Sequence, residues 1–124
     1  MIAKRVHHVS FAVADLERSR HFYQNILGLQ SIPRPDLGLA GIWYRAGEAE
    51  IHLIATPEGA DVGGHPTAIS PLANHSAFAI DDYAKVLEHL KSSGLEVMET
   101  SAARGQMWVQ DPDGNVIELI APRV

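Results

Sequence analysis

Four residues of metal-binding types occupy matched places in a repeated sequence pattern. His8 and His75 each begin a predicted strand, whereas His52 and Glu118 each lie within a predicted last strand. The interval from His8 to His75 is within one residue of the interval from His52 to Glu118. Because the chain has no cysteine, a metal must be bound through nitrogen and oxygen, the ligands expected of zinc, nickel, cobalt, manganese or ferrous iron. The pattern predicts a divalent-metal site formed by these four residues.

Two copies of one βαβββ module would position these side chains. The stretch HSAFAIDD at 75–82 repeats HVSFAVAD at 8–15, and IELIA at 117–121 repeats IHLIA at 51–55 except where Glu118 replaces His52. In each copy a strand leads to an amphipathic helix, which a glycine ends, and further strands follow. A repeat that persists along the chain indicates a duplicated module. The sequence therefore predicts an α+β fold of two tandem modules, with curved mixed sheets around a metal cavity.

The element boundaries follow from apolar periodicity and turn residues. We expect one domain, 1–124, in which module 1 covers about 4–56, a linker about 57–72, and module 2 about 73–124. In module 1 the pattern predicts a helix at 16–27 and strands at 6–14, 29–32, 42–45 and 50–55. In module 2 it predicts a strand that begins at His75, a helix at 83–92 capped by Asp82, and strands at 95–100, 107–110 and 115–121.

Other conspicuous side chains have plainer interpretations. Strand alternation sets His7 on the face opposite His8, and it has no counterpart in the repeat, so it is assigned no metal role. Trp43 and Trp108 are interpreted as core or pocket wall, and Arg45 or Arg104 could hold a substrate anion. Solvated surface is the preferred interpretation of the remaining histidines, which are His21, His65 and His89.

Composition and charge argue against nucleic acid and the membrane as partners. The formal net charge is -5, and no lysine-arginine cluster offers a footprint for nucleic acid. No apolar run approaches the roughly 20 residues of a membrane span, and no signal peptide is recognisable at the amino terminus. We therefore expect a cytoplasmic protein that binds a small molecule.

The two modules resemble the vicinal oxygen chelate superfamily, which includes glyoxalase I, fosfomycin-resistance thiol transferases, methylmalonyl-CoA epimerase, extradiol dioxygenases and bleomycin-binding proteins. The resemblance covers essentially the whole chain. Its most specific parts are HVSFAV at 8–13, DLERS at 15–19 with the following FY at 22–23, and DPDGN at 111–115 with IEL at 117–119. The resemblance implies a metal bound by His8, His52, His75 and Glu118, the same set that the repeat indicates.

The pattern is closest to glyoxalase I-like proteins, which implies a metal-dependent lyase or isomerase acting on a small substrate with adjacent oxygens. Proton transfer would proceed through an enediolate, with Glu118 as the base and His52 as a plain ligand. Glyoxalase I usually has glutamate, and the epimerase glutamine, at the position of His52. A non-catalytic binding or resistance protein, a metal-dependent thiol transferase and a dioxygenase are the alternatives. Small family members with this arrangement imply a homodimer.

Overall fold

The computed structural model describes residues 1–123, which fall into two compact units, one ending at Gly63 and the other beginning at Gly64. The first unit contains a four-stranded mixed sheet and one helical segment. Its elements in chain order are β1 (His8–Val13), α1 (Leu16–Arg20) continued by a π-helical stretch (His21–Ile26), β2 (Gln30–Ile32), β3 (Gly41–Ala46) and β4 (Ala49–Ala55). The strand order is β1-β4-β3-β2, with β1 parallel to β4 and the other pairs antiparallel.

The second unit repeats this topology. Its elements are β5 (His75–Ala79), α2 (Tyr83–Ser92), β6 (Met98–Glu99), β7 (Gln106–Gln110) and β8 (Val116–Ile120). The order β5-β8-β7-β6 again has its first and last strands adjacent and parallel, so that β8 lies inside the sheet between β5 and β7. The predicted α+β class and the two βαβββ modules with mixed sheets are confirmed.

The two helices begin by the same mechanism. Oδ1 of Asp15 accepts a hydrogen bond from the backbone N–H of Arg18, and Oδ1 of Asp82 accepts one from Lys85, each at 3.1 Å. Such caps satisfy amide groups that have no partner within the helix. The dihedral angles of the two caps agree within a degree (φ -128° and ψ 105°, against φ -129° and ψ 106°). Equivalent sequence thus produces equivalent local structure.

One face of each sheet is apolar and packs in the core. In the first unit the side chains of Phe11, Val13 and Leu53 are buried on this face, and the Phe11 ring stacks on that of Tyr23 with centroids 5.5 Å apart. In the second unit the corresponding buried positions are Met107, Val109, Ile117 and Leu119. Since alternate strand residues point to opposite faces, the candidate ligands lie on the other face of each sheet.

The structure departs from the predicted elements in three places. The first helix does not remain α-helical to Leu27, because the N–H of Leu27 donates to the carbonyl of Phe22, five residues earlier. Strand β6 covers only Met98–Glu99 rather than 95–100. Strand β1 begins at His8 rather than at residue 6. Within residues 1–123 no helix is long and apolar enough to cross a bilayer.

Candidate functional site

In the second unit, β8 places Glu118 between two neighbouring strands. Its register partners are Ala77 on β5 and Trp108 on β7, and all three share the face that carries His75. Nε2 of His75 lies 3.0 Å from Oε1 of Glu118. The structure therefore brings together His75 and Glu118, the two candidate ligands of this unit.

The hydrogen bonds of His75 determine what its ring can offer to Glu118. Nδ1 of His75 lies 2.8 Å from the carbonyl oxygen of Ala73, so Nδ1 must donate, because a carbonyl only accepts. The neutral ring then has a lone pair on Nε2, which faces a carboxylate oxygen that is also an acceptor. A positive charge has to lie between these two atoms, and a proton or a metal ion can supply it. Donation from the other ring nitrogen to a carbonyl is typical of histidines that bind metals.

Two further side chains orient the carboxylate of Glu118. Nε1 of Trp108 donates to Oε1 at 3.1 Å, and Nε2 of Gln106 donates to Oε2 at 3.3 Å. Glu118 and Trp108 are both buried, so these bonds satisfy a polar group that burial would otherwise penalise. Trp108, interpreted from the sequence as core or pocket wall, also holds the candidate ligand through its indole N–H.

In the first unit, the equivalent position carries His52, and its surroundings are aromatic. Its ring stacks on the indole of Trp43 with centroids 4.2 Å apart and planes 8° apart. On the other side it stacks on His8, at 4.1 Å and 15°. The structure thus brings the candidate ligands His8 and His52 into contact, as a stack. Imidazole lone pairs lie in the ring plane, so two nearly parallel rings cannot direct theirs to one ion unless one ring rotates.

Glu50 is a member of this cluster that the sequence analysis missed. Its Oε1 lies 2.9 Å from Nε2 of His52, and it shares the sheet face with His52, two residues away on β4. The hydrogen bond from His52 lowers the pKa of the Glu50 carboxyl. It also assigns the Nε2 hydrogen to His52, which leaves Nδ1 for any other partner. Strand alternation alone could have identified Glu50, since residues 50 and 52 necessarily lie on one face.

His7 contradicts the placement predicted for it. Its Nδ1 lies 2.9 Å from Nδ1 of His8, so its ring contacts His8 instead of pointing to the opposite face. The alternation rule is not binding here because β1 begins only at His8, so residue 7 lies outside the strand. Burial lowers the pKa of His8, and the neighbouring His52 and His7 lower it further, against a smaller opposite effect of Glu50.

The two pairs differ in how well they fit a metal. Two ligand atoms, each about 2.1 Å from an octahedral ion, are about 3.0 Å apart, which matches the distance between His75 and Glu118. His8 is exposed at the start of its strand and can rotate, whereas His52 is 7% exposed and bonded to Glu50. Within residues 1–123 no group of three or more His, Cys, Asp or Glu side chains is placed to hold a metal. Each unit therefore offers a pair of donors.

A known protein family matches this chain, whose two βαβββ modules each carry a pair of candidate ligand side chains. The model of the Glyoxalase/Bleomycin resistance protein/Dioxygenase superfamily matches residues 5–119. The chain belongs to this superfamily.

Several curated proteins are similar over most of the chain. A lactoylglutathione lyase of Haemophilus influenzae is 33% identical over 91% of this chain and 89% of its own length. The protein named glyoxylase I 4 of Arabidopsis thaliana is 32% identical over 92% of this chain and 68% of its own length. A mitochondrial methylmalonyl-CoA epimerase of Bos taurus is 27% identical over 82% of this chain and 61% of its own length. These relatives include both lyases and an epimerase.

Solved structures share the fold. A glyoxalase family protein from Bacillus anthracis superposes with a TM-score of 0.78 at 26% identity, covering 99% of this chain and 98% of its own. A fosfomycin resistance protein from Listeria monocytogenes gives 0.74 at 22% identity, covering 100% and 94%. At that identity the second likeness concerns the fold alone.

The surroundings of His8 lead to a pH prediction. We expect His8 to titrate below 6.5 in the folded protein, because burial and its two histidine neighbours disfavour the imidazolium. Between the lowered pKa of His8 in the folded protein and its value of 6.5 in the unfolded chain, the unfolded chain binds more protons than the folded one. This group therefore makes the free energy of unfolding rise with pH up to about 6.5. The chemical shift of the His8 Cε1 proton, followed by NMR against pH, measures the midpoint.

Replacement of His52 by Asn is the matched variant for this titration. It removes the second largest cause of the shift, so the His8 midpoint should move upward in the variant. A wild-type midpoint at or above 6.5 contradicts the prediction.

Proposed function

We propose that this protein is a metal-dependent lyase or isomerase of the glyoxalase I kind, acting on a small substrate with adjacent oxygens. The observation that carries the proposal is the 3.0 Å contact between Nε2 of His75 and Oε1 of Glu118, two acceptor atoms that a shared metal ion would hold together in place of a proton. The similarity to lactoylglutathione lyases over most of both chains supports it. The proposed cytoplasmic location stays a prediction.

The metal ligands in this proposal are His8, His52, His75 and Glu118. A bound zinc, nickel, cobalt, manganese or ferrous ion would act as a Lewis acid and make the C–H bond beside the substrate carbonyl more acidic. His75 and Glu118 fit such an ion as they stand. His8 must rotate out of its stack, and His52 has Nδ1 available because Glu50 accepts the hydrogen on Nε2.

Glu118 is the proposed base. It takes the proton from the carbon beside the carbonyl, the C–H electron pair forms the new carbon-carbon double bond, the C=O π pair moves onto the carbonyl oxygen, and the substrate becomes an enediolate. The proton then returns to the neighbouring carbon, so no oxidant or reductant is needed. The two carboxylate oxygens can separate metal binding from proton transfer. Oε1 faces His75, whereas Oε2 accepts the longer 3.3 Å hydrogen bond from Gln106. Hydrogen bonding to the carboxylate holds it in position for proton transfer.

A non-catalytic binding protein of the same fold is the second candidate. It is favoured by the stack of Trp43, His52 and His8, which a planar ligand could extend at its exposed end, His8, without a metal. Stoichiometric metal in protein purified without an affinity tag separates the two candidates, since a binding protein does not require it.

Removal of a proposed ligand should remove the metal. In His75→Ala and in Glu118→Ala we expect metal affinity to fall by at least about tenfold, because each loses a donor that the rest of the chain does not replace. Elemental analysis after dialysis measures the metal content. His89→Ala changes an exposed histidine on α2 and should keep wild-type content. Unchanged metal in both ligand variants, or a wild type that never takes up metal, refutes the assignment.

Loss of the base should stop proton transfer while much of the metal stays. In Glu118→Gln we expect turnover and deuterium incorporation to fall together by about 10²–10⁴-fold, the usual contribution of a general base. The measurement follows the methylglyoxal-glutathione hemithioacetal and a panel of 2-oxo and 2-hydroxy thioesters in deuterated water. Glu96→Gln, a change at an exposed residue before β6, is the isosteric control. Wild-type exchange in Glu118→Gln excludes Glu118 as the base, and a panel without any reactive member favours the binding protein.

We also propose that the protein is a homodimer. Closed two-fold dimers are the commonest assemblies of soluble proteins, and the long linker predicted between the modules suits an assembly role. Light scattering at micromolar concentration should give twice the 13.5 kDa mass of the chain. The mass of a single chain under these conditions contradicts the dimer.

A further inference from the structure

Arg34 lies in the loop between β2 and β3 and is held in an unusual way. Its Nε is buried and has no hydrogen-bond partner. Within residues 1–123, the structure also shows no hydrogen bond or ion pair of its terminal nitrogens. A buried N–H without a partner costs free energy, so an arginine fixed in this way calls for an explanation.

Gly41 is the residue against which the guanidinium packs. A Cβ added at Gly41 would come within 2.9 Å of Nε and 3.0 Å of Cζ of Arg34, and it would also collide with the backbone carbonyl of Leu53. The strand register puts Gly41 on the same face as Trp43 and His52. Gly41 and Trp43 are two residues apart on β3, which is about 7 Å along a strand. Arg34 therefore packs against a backbone position that shares a sheet face with Trp43 and His52 and lies two residues from Trp43.

None of the ion pairs in the described part of the chain involves Arg34, although the chain is acidic overall. Ion pairs do form elsewhere, between Arg20 and Glu17 and between Lys91 and Glu99. Arg45, which the sequence analysis considered for a substrate anion, lies directly opposite Glu50 in the sheet. The guanidinium of Arg45 lowers the pKa of that carboxyl, so its charge already interacts with an acidic group.

We propose that Arg34 binds an anionic group of the ligand, a carboxylate or a phosphate, beside Trp43 and His52. The terminal nitrogens of the guanidinium make the contact, whereas the packed Nε holds the group in place. An arginine whose side chain is already ordered loses little conformational entropy on binding. The planar N–H donors of its guanidinium match carboxylate and phosphate oxygens. That this ligand is the enzyme's substrate rests on the function proposed above. The anion site itself depends only on the first unit.

The test is an NMR titration of the metal-free, full-length protein with three small probes. Sodium pyruvate and sodium phosphate carry the two anionic groups, and methyl pyruvate is a neutral analogue of the first. At constant ionic strength, the Gly41 amide and the Arg34 Nε–H resonances should shift in a saturable way with one or both anions, and not with methyl pyruvate. Which anion acts distinguishes carboxylate from phosphate recognition.

Arg34→Gln should weaken this binding by at least about tenfold, because a charge-assisted hydrogen bond is lost. Arg34→Lys, which keeps the charge without the fork, should give an intermediate affinity and serves if the glutamine variant fails to fold. Arg18→Gln removes the same charge from an exposed position on α1 and should bind like the wild type. The proposal is overturned if neither anion shifts these resonances at tens of millimolar, or if the shifts persist in Arg34→Gln.

The same variants separate this proposal from the proposed function. If anions bind at Arg34 but no thioester or hemithioacetal is converted, the lyase proposal fails and the anion site stands. If the substrates are converted and Arg34→Gln leaves both KM and the anion titration unchanged, the anion site fails and the lyase stands. A rise in KM with little change in kcat is the expected result when both are right.

Discussion

Parallel pairing of the first and last strands is the constraint on which the site in each unit depends. It makes the last strand an inner strand, flanked by the first strand on one side and by the third on the other. A residue near its middle is therefore surrounded by side chains from both neighbours. Position 118 meets Trp108 and His75, and position 52 meets Trp43 and His8. The shared topology thus brings the candidate functional side chains of each module together at one place on its last strand.

The two modules use this shared geometry differently because one residue differs. Glu118 accepts the indole N–H of Trp108, so the tryptophan acts through its polar edge. His52 has no carboxylate to offer, and Trp43 instead stacks its face on the imidazole. The hydrogen-bond acceptor missing at residue 52 is supplied by Glu50, two residues earlier on the same face. A duplicated fold has therefore diverged by exchanging a polar contact for an aromatic one.

Polar groups show where the first unit departs from ordinary packing. Buried donors and acceptors in proteins are generally satisfied, and the Glu118 carboxylate follows this rule. The Nε of Arg34 does not, although the chain has more acidic than basic residues. Gly41 makes the arrangement sterically possible, because a side chain there would collide with the guanidinium. A buried donor left unpaired in this way is uncommon in native proteins and calls for an explanation.

Apolar alternation, Asp caps and terminal glycines were sufficient to predict the βαβββ repeat and the bounds of α2, because these signals are local. The repeat also indicated which four residues share equivalent positions. Only the tertiary structure decided how those residues meet. The stack of His8 on His52, the hydrogen bond to Glu50 and the burial of Arg34 against Gly41 depend on side-chain rotamers and on a loop path. Sequence periodicity determines the face on which a side chain lies, whereas its contacts on that face are set by packing among residues distant in the chain.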